Sequence, residues 1–466
     1  MRVIRLGQLK LSWRELQRAA AAALLLLGLG AFPALAVPSF AVQTGQPCQA
    51  CHVGGFGPQL TPFGRAFKIR GYTMRTNSFN VPLSAMAMAS YVNTAKSQSP
   101  PAPGFATNDN FAVDQISLFV AGALGSHLGA FIQTTYDGVA HAFHWDNLDV
   151  RAVTDVQVKS VDVVLGASLN NAPTVQDAWN TTPAWGFPYT TSALAPTPSA
   201  SPLLNGALAQ TSLGLTGYAW INSEFYLEAG GYGSPGATSL TRLGVDPTSP
   251  GSIKGVAPYA RLAFQHDLGG GTAEVGLFGM QADIYPGLDR SLGLSDGYAD
   301  IGLDGSYIRT VRGGADTVTV DGRYVHEQQT LNYTCAQAAL DPGAVGFSCP
   351  RHVGLDDVRL DASYYWRNQI GGTVALFDTA GSTSPYLYNY LGGQRLARPD
   401  STGVTLQLDA TPFGGSGSPL GPRVNLRVGV QYTLYTAFNG AGTNYDGAGA
   451  KASDNNAFRI FTWLAF

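Results

Sequence analysis

The chain reads RVNLRVGVQYTL from Arg423 to Leu434, and an apolar or aromatic residue occupies every second position of this stretch. Such strict alternation is typical of a β-strand with one apolar and one polar face. Residues 148–159 and 358–367 alternate in the same way. A soluble β-sandwich also alternates, but its apolar faces enclose a core, and no compact core is apparent over the roughly 380 residues after position 84. The pattern therefore favours strands with lipid on one side and a wet lumen on the other.

The composition also indicates a membrane barrel. Charged residues make up 13% of the 466-residue chain, about half of the ~25% that is usual in soluble globular proteins. Beyond residue 36 the chain contains no apolar run of the ~20 residues that a transmembrane helix needs. The 28 Lys and Arg residues are fewer than the 31 Asp and Glu residues. The chain therefore lacks the net positive charge expected of a nucleic-acid-binding protein. We therefore predict an all-β fold, a transmembrane antiparallel β-barrel.

Sixteen stretches read as strands, an even number, as single-chain bacterial barrels require. They are 85–95, 111–124, 128–138, 144–158, 161–171, 207–221, 224–233, 256–268, 272–285, 298–310, 316–330, 358–368, 371–380, 402–410, 423–437 and 457–466. Short connections mostly alternate with long ones such as 172–206, with 139–143 and 411–421 as exceptions. Since short turns are periplasmic and long loops external, the barrel should begin and end on the periplasmic side. Its aromatic last residue, Phe466, resembles the terminal signal of outer-membrane proteins.

The first 36 residues have the features of a cleaved signal peptide. Five cations (Arg2, Arg5, Lys10, Arg14 and Arg18) precede or border an apolar stretch at 19–32. The stretch is short for a membrane span, and the small-residue sequence Ala34-Leu35-Ala36 follows it as a cleavage site. An uncleaved anchor helix is the alternative. We expect the protein to be exported and the mature chain to begin at residue 37.

Twelve residues beyond that site stands Cys48-Gln49-Ala50-Cys51-His52. C-x-x-C-H is the signature for attachment of c-type haem: the two thiols add across the haem vinyl groups, and the adjacent histidine can bind the iron. The alternatives are an ordinary disulfide, a redox C-x-x-C or half of a zinc site. Zinc would need a second ligand pair, and the other cysteines lie nearly 300 residues away. The motif predicts one covalent haem c, with Cys48, Cys51 and His52 as its binding residues.

A sixth iron ligand is less well specified by the sequence. Met74 lies 22 residues after His52 and could complete a His/Met pair of the kind found in cytochromes c. An open or exogenously filled position is the alternative. Met86 and Met88 share one face of the first predicted strand and are assigned to the barrel wall. Met74 is therefore the predicted methionine ligand.

Cys335 and Cys349 form the other cysteine pair. In an oxidising compartment such a pair favours a disulfide, which would close a 15-residue loop and contribute about 3 kcal/mol on the chain-entropy model. A second metal site that includes His352 is the alternative. We predict a disulfide that stabilises an external loop.

A family resemblance begins at Pro38-Ser39-Phe40-Ala41, continues through the C-x-x-C-H motif, and extends over Phe56-Gly57-Pro58-Gln59-Leu60-Thr61 and Phe63-Gly64-Arg65-Ala66-Phe67-Lys68 to Gly71-Tyr72. This run resembles the N-terminus of the fused cytochrome–porins, single-haem outer-membrane proteins associated with bacterial iron oxidation. The resemblance covers residues 38–72, and the remainder agrees only as architecture. It implies a monohaem cytochrome c segment over 37–84 that plugs or caps the lumen of a porin-like barrel over 85–466.

The predicted haem segment is too short to build a full core by itself, so haem and the barrel wall would have to supply the burial that it lacks. Arg65, Lys68 and Arg70 are candidates to pair with the haem propionates or with acidic residues of the lumen. Solvated surface charges are the equally weighted alternative. The segment is expected inside the barrel or at its periplasmic mouth.

Two functions follow from these expectations. In the first, an electron-transfer oxidoreductase of the outer membrane takes electrons from an extracellular donor, Fe²⁺ or another reductant, and passes them through the haem to a periplasmic carrier such as a cytochrome c. In the second, a porin lets solutes diffuse and its haem segment has a sensory or structural role. Charges predicted to face the lumen suit either function: Arg151, Arg323, Arg359, Arg367, Arg423 and Arg427, with Asp149, Asp304, Asp321, Asp361 and Asp409. The predicted external loops offer scattered acids for an iron donor: Asp289, Asp296, Asp356 and Asp357. No residue pattern of a hydrolase or a transferase is found.

Overall fold

The computed structural model describes residues 39–76, 82–420 and 423–466. The predicted signal peptide, residues 1–36, lies outside the described residues. Before the barrel, the chain forms three short helices, α1 (Ser39–Thr44), α2 (Cys48–Cys51) and α3 (Pro62–Ile69). A 3₁₀ turn, Val53–Gly55, separates α2 from α3. Two further helices, α4 (Ala237–Arg242) and α5 (Asn332–Leu340), lie in the connections between strands.

Seventeen strands follow within the described residues. They are β1 (Leu83–Thr94), β2 (Asn110–Ala123), β3 (Leu128–Asp137), β4 (Ala142–Val158), β5 (Val161–Asn170), β6 (Leu213–Ile221), β7 (Phe225–Gly233), β8 (Ser252–Ile253), β9 (Ala257–Leu268), β10 (Gly271–Tyr285), β11 (Asp296–Val311), β12 (Asp316–Thr330), β13 (His352–Trp366), β14 (Ile370–Gly381), β15 (Ser401–Ala410), β16 (Asn425–Ala437) and β17 (Ala457–Ala465). The two-residue strand β8 extends the sheet beside β10. The other sixteen form the barrel wall.

The wall is closed and antiparallel throughout. Each long strand pairs with its neighbours in the chain, and β1 pairs with both β2 and β17, so the sheet has no free edge. This confirms the prediction of an antiparallel barrel of sixteen strands. Among the described residues, no helix has the length and hydropathy that a bilayer crossing requires.

Side-chain burial in the wall is opposite to that of a soluble protein. In β16, Arg427 is 2% exposed and faces the lumen, whereas its neighbour Val428 is 37% exposed. Leu118, Leu215 and Leu408 are likewise exposed on the outside of the barrel. An apolar outer face is stable only against lipid, because apolar area is driven out of water. A closed barrel with this surface is a membrane-spanning barrel of the outer-membrane type, and lipid is its contact partner.

Two of the charges predicted to face the lumen are placed differently. Arg151 and Arg427 are buried inside as expected, but Arg367 and Arg423 are exposed at strand ends. The alternation continues in the sequence beyond the point where hydrogen-bonded pairing stops. The pattern therefore overestimated how much of each strand lines the lumen. Strand β13 also begins at His352 rather than at 358, so Asp356 and Asp357 belong to the wall rather than to a loop.

The connection between β5 and β6, residues 171–212, is the largest departure from expectation. The sequence predicted a long external loop here, but many of its residues are buried within the barrel; we call it the inward loop. Carboxylates of the wall accept hydrogen bonds from its backbone: Glu327 from Leu203 N at 2.5 Å, and Asp300 from Leu204 N at 2.9 Å. These acceptors replace the water that an external loop would use. The inward loop therefore fills part of the lumen.

Cys335 and Cys349 are joined by a disulfide, with an S–S distance of 2.04 Å. The bridge closes the connection between β12 and β13 and links helix α5 to the residues that lead into β13. The bridge lies on the side of the barrel with the long connections. This agrees with the prediction that the disulfide stabilises an external loop.

Candidate functional site

Residues 39–76, which we call the N-terminal segment, lie inside the barrel near the end with the short connections. Gly54 N donates a hydrogen bond of 2.7 Å to Asn368 Oδ1 in the β13–β14 turn. On the opposite side of the lumen, Ser39 Oγ donates to the backbone oxygen of Ala121 at the end of β2, at 2.7 Å. Gln59 Nε2 reaches Asp321 on β12 at 2.8 Å. Contacts with widely separated strands hold the N-terminal segment as a plug.

The C-x-x-C-H motif forms a single helical turn. Helix α2 runs over Cys48–Cys51, so the two cysteines are three residues apart and share one face. His52 leaves the helix in an extended conformation, and its backbone N–H donates to Cys48 O at 2.9 Å. Both cysteines are free. Burial raises the pKa of Cys48, and burial together with Cys48 raises that of Cys51 to about 12, so both are protonated thiols at neutral pH.

Helix α3 packs closely against α2 because Gly64 lies at the contact. A Cβ added at Gly64 would overlap the backbone oxygen of Cys51. Thr61 caps α3 by accepting a hydrogen bond of 3.2 Å from Gly64 N, the usual role of a threonine at this position. Thr61 N also donates to Cys51 O at 2.9 Å. Thr61, the residue before α3, therefore holds both the start of α3 and the backbone of Cys51.

A cavity of about 350 Å³ adjoins the motif, and Cys48, Cys51 and His52 all line it. It lies between the N-terminal segment, the inward loop and the inner face of the wall. Much of the remaining lining is aromatic: Phe40, Phe56, Phe67, Tyr72, Phe119, Phe131, Trp185, Tyr189 and Trp463. Such a lining suits a large, flat, mainly apolar group held by a few polar contacts.

The His52 side chain is suited to bind a metal. Burial, and secondly the charge of Arg427, lower the pKa of His52 to about 4, although the backbones of Gly57 and Gln59 offset part of this shift. The imidazole is therefore neutral at physiological pH, the form in which histidine binds metals. Its Nδ1 atom is buried and has no hydrogen-bond partner of ordinary geometry among the described residues.

The structure does not bring the predicted ligand Met74 to this cavity. Met74 is absent from the described residues that line it, and its backbone oxygen accepts a hydrogen bond of 2.8 Å from Gln43. Met86 and Met88 are wall residues, as predicted, but both are buried and line the same cavity as His52. Alternation in the sequence placed them on one face of β1. The alternation could not show that this face lines the same cavity as the cysteine motif.

The three candidate cations have different environments. Lys68 lines the cavity, donates to Val175 O at 2.7 Å, and lies 4.6 Å from the ring centroid of Trp185. Burial lowers the pKa of Lys68 to about 7. Arg65 is buried, and its Nε and Nη1 have no hydrogen-bond partner among the described residues. Arg70 forms a largely exposed ion pair with Asp155. Lys68 and Arg65 are thus lumen residues, and Arg70 is a surface residue.

No group of three or more His, Cys, Asp or Glu side chains within residues 39–76, 82–420 and 423–466 is arranged to hold a bare metal ion. The nearest candidate, the C-x-x-C-H motif, offers two thiols and one imidazole beside an apolar cavity. This donor set matches haem attachment better than zinc, which takes four ligands in a structural site.

No family model and no curated protein matches the sequence. Several solved structures are similar in shape. The anion-selective porin from Comamonas acidovorans is 14% identical, with 82% of this chain and 99% of the porin covered, at a TM-score of 0.42. The outer membrane channel DcaP of Acinetobacter baumannii is 12% identical, with 83% and 97% covered, at a TM-score of 0.43. OmpT of Vibrio cholerae is 10% identical, with 84% and 99% covered, at a TM-score of 0.40. These similarities are too distant to say what this chain binds or transports.

Proposed function

We propose that the protein is an outer-membrane electron-transfer protein that carries one covalent haem c inside its barrel. Electrons would pass from an extracellular donor, for which Fe²⁺ is our candidate, to a periplasmic carrier such as a cytochrome c. One observation carries this proposal: the C-x-x-C-H motif borders an aromatic cavity enclosed by the wall of a membrane-spanning barrel. An attachment motif for a redox group is thus held within the membrane barrel rather than on a separate soluble domain.

The residues around the cavity fit this group. Cys48 and Cys51 would form the two thioether bonds, since both thiols are free and border the cavity. His52 would bind the iron, since its ring is neutral and borders the cavity. The bound haem would supply one-electron redox chemistry. The protein would hold it, orient it and keep water from its faces.

The site's position supports transfer across the membrane. The N-terminal segment occupies the end of the lumen with the short connections, where a periplasmic carrier would dock. The inward loop enters from the other end and lines the cavity with Trp185 and Tyr189. The cavity therefore lies between both mouths of the barrel, which a haem receiving electrons from outside requires.

The external acids suit a donor that binds briefly. Asp289 lies in the β10–β11 connection, where its carboxylate accepts a hydrogen bond from Tyr333 at 2.8 Å. Asp356 lies in β13 beside His326, at 2.8 Å. Asp357 is instead buried against Arg359 at 2.8 Å, and is unavailable. Dispersed oxygen ligands of this kind suit an Fe²⁺ ion that docks, gives up an electron and leaves as Fe³⁺.

A porin is the alternative function, and the partly filled lumen weighs against it. The N-terminal segment and the inward loop meet inside the barrel, where Asn180 Nδ2 donates to Pro58 O at 2.9 Å. Asn180 Oδ1 in turn accepts from Leu60 N at 2.9 Å. These contacts join the N-terminal segment to the inward loop across the lumen and reduce the space through which a solute could pass.

Covalent haem staining tests the proposal. The full chain is expressed together with cytochrome-maturation proteins and separated by denaturing electrophoresis, and a haem-stained band is expected. Cys48→Ala and Cys51→Ala should weaken or abolish the stain, and His52→Ala should change the spectrum of the reduced protein. The matched control is Cys335→Ser/Cys349→Ser, which removes the remote cysteine pair and should leave the stain intact. An unstained wild-type band would overturn the proposal.

A further inference from the structure

We propose that Met88, on strand β1 of the barrel wall, is the second protein ligand of the haem iron; this inference rests on the proposed function. Met88 lines the same cavity as His52 and lies on a strand of the barrel wall, outside the N-terminal segment. The axial pair would then join the N-terminal segment to the membrane-spanning wall.

The register of the strands places Met88 in a row that contacts the chain just after His52. Met88 on β1 pairs with Trp463 on β17, and Trp463 pairs with Arg427 on β16. Arg427 Nη1 donates a hydrogen bond of 2.8 Å to Phe56 O, four residues after His52. In the same row, the ring centroids of Trp463 and Phe56 are 4.9 Å apart. The wall at the level of Met88 is therefore in contact with the chain that follows the histidine.

Met86 lies one row closer to the end of the barrel with the short connections. It pairs with Ala465, which pairs with Asn425. Asn425 donates to Gly55 O at 3.0 Å. The rows of Met86 and Met88 thus both contact the chain that follows His52, and the hydrogen bonds of the two sulfurs distinguish them.

The hydrogen bonds of the two sulfurs also favour Met88. Met86 Sδ accepts from Trp463 Nε1 at 3.1 Å, and an indole N–H buried in the wall would lose this acceptor if the sulfur turned away. Met88 Sδ accepts from Thr190 Oγ1 at 3.3 Å. Thr190 Oγ1 is also held by Arg459 Nη2 at 3.1 Å, and Thr190 O by Arg459 Nη1 at 3.0 Å. The position of Thr190 therefore does not depend on Met88, whose sulfur can turn to a metal.

Spectroscopy of leucine variants tests this assignment. Leucine keeps the volume of methionine at little cost in packing but cannot bind iron. Wild-type, Met88→Leu, Met86→Leu and Met74→Leu proteins are prepared with covalent haem. For each, we measure haem staining, the near-infrared charge-transfer band of a methionine–ferric iron bond, CO binding to the reduced protein, and the midpoint potential.

We expect Met88→Leu to keep its stain, lose the charge-transfer band, bind CO when reduced and show a lower midpoint potential, because methionine ligation raises the potential. Met86→Leu and Met74→Leu should keep the wild-type band and remain closed to CO. The assignment is overturned if the band survives in Met88→Leu, if it is lost in either other variant, or if stained wild-type protein lacks it.

A second variant covers the case in which Met88→Leu does not fold. Met88→His should replace the methionine band with the spectrum of a bis-histidine haem, and a methionine band that persists in this variant overturns the assignment. Missing haem stain in the wild type would instead refute the proposed function. The two failures are thus distinguishable.

Discussion

Arg427 Nη1 donates a hydrogen bond of 2.8 Å to the backbone oxygen of Phe56, four residues after the histidine of the C-x-x-C-H motif. The same guanidinium bonds Asp409 Oδ2 through Nε at 2.8 Å and Tyr365 Oη through Nη2 at 2.6 Å. One buried cation of the wall is thus neutralised by a wall carboxylate and at the same time anchors the plug. The barrel and the N-terminal segment share this network.

Removal of Arg427 should destabilise the barrel strongly. Arg427→Met leaves the buried Asp409 carboxylate without its counter-charge, and breaking such a pair from one side costs about 3–5 kcal/mol. We expect urea unfolding of the purified protein, followed by the heat-sensitive mobility of folded barrels, to shift accordingly. Lys96→Gln is the control, because Lys96 is mostly exposed and its pair with Asp454 is 3.4 Å long; such pairs contribute at most about 1 kcal/mol. Equal losses in both variants would contradict the prediction.

Gly64→Ala should impair haem attachment without unfolding the barrel. The added methyl would overlap the backbone oxygen of Cys51, so α3 would have to move away from α2. We expect less haem per folded barrel, measured as the ratio of stain to protein in the folded band. Gly125→Ala is the matched control, because a Cβ at Gly125 meets no atom within 4 Å. A Gly64→Ala protein with the wild-type ratio would show that the close approach is not required.

The disulfide should protect its loop and leave the site unaffected. Closing a loop of this length is worth about 3 kcal/mol, which is roughly 100-fold in an opening equilibrium. Cys335→Ser/Cys349→Ser should therefore be cleaved by trypsin after the exposed Arg351 up to ~100-fold faster than the wild type. The haem stain and the barrel should persist. Equal cleavage rates with and without the bridge would mean that other contacts hold the loop.

The partly filled lumen should make the protein a poor channel. We expect the full protein to conduct little current in planar bilayers, because the plug and the inward loop meet inside the barrel. A variant that lacks residues 39–76 should conduct more, with the inward loop as the remaining obstruction. Porin-sized currents from the full protein would favour the porin alternative.

External iron should reduce the haem. Liposomes that carry the protein with its long loops outward should show haem reduction when Fe²⁺ is added outside. Reduction should persist when the Fe²⁺ is held in a chelate too large for the lumen, provided that the haem edge lies near the outer mouth of the barrel. If only permeant reductants work, the site receives electrons from the periplasmic side and the proposed direction is wrong.

The sequence by itself determined the features that depend on the order of neighbouring residues in the chain. Strand alternation is local, because side chains on a pleated strand face opposite sides at every step. The sixteen wall strands, their antiparallel order and the inward position of Arg427 therefore followed from the pattern. The cysteine motif is also local, since two intervening residues put Cys48 and Cys51 on one face of a helical turn. Strand ends were less accurate, as Arg367 and Arg423 illustrate, because alternation continues where pairing stops.

Only the tertiary structure decided what meets at the site. Met74 is closer to His52 in the chain than Met88 is, yet Met88 lines the cavity and Met74 does not, because β1 of the closed barrel borders the cavity that the motif lines. The inward loop reads like any external loop in sequence. It enters the lumen because Glu327, Asp300 and other distant wall residues satisfy its backbone there. Such long-range pairings depend on the closed barrel, so no local pattern encodes them.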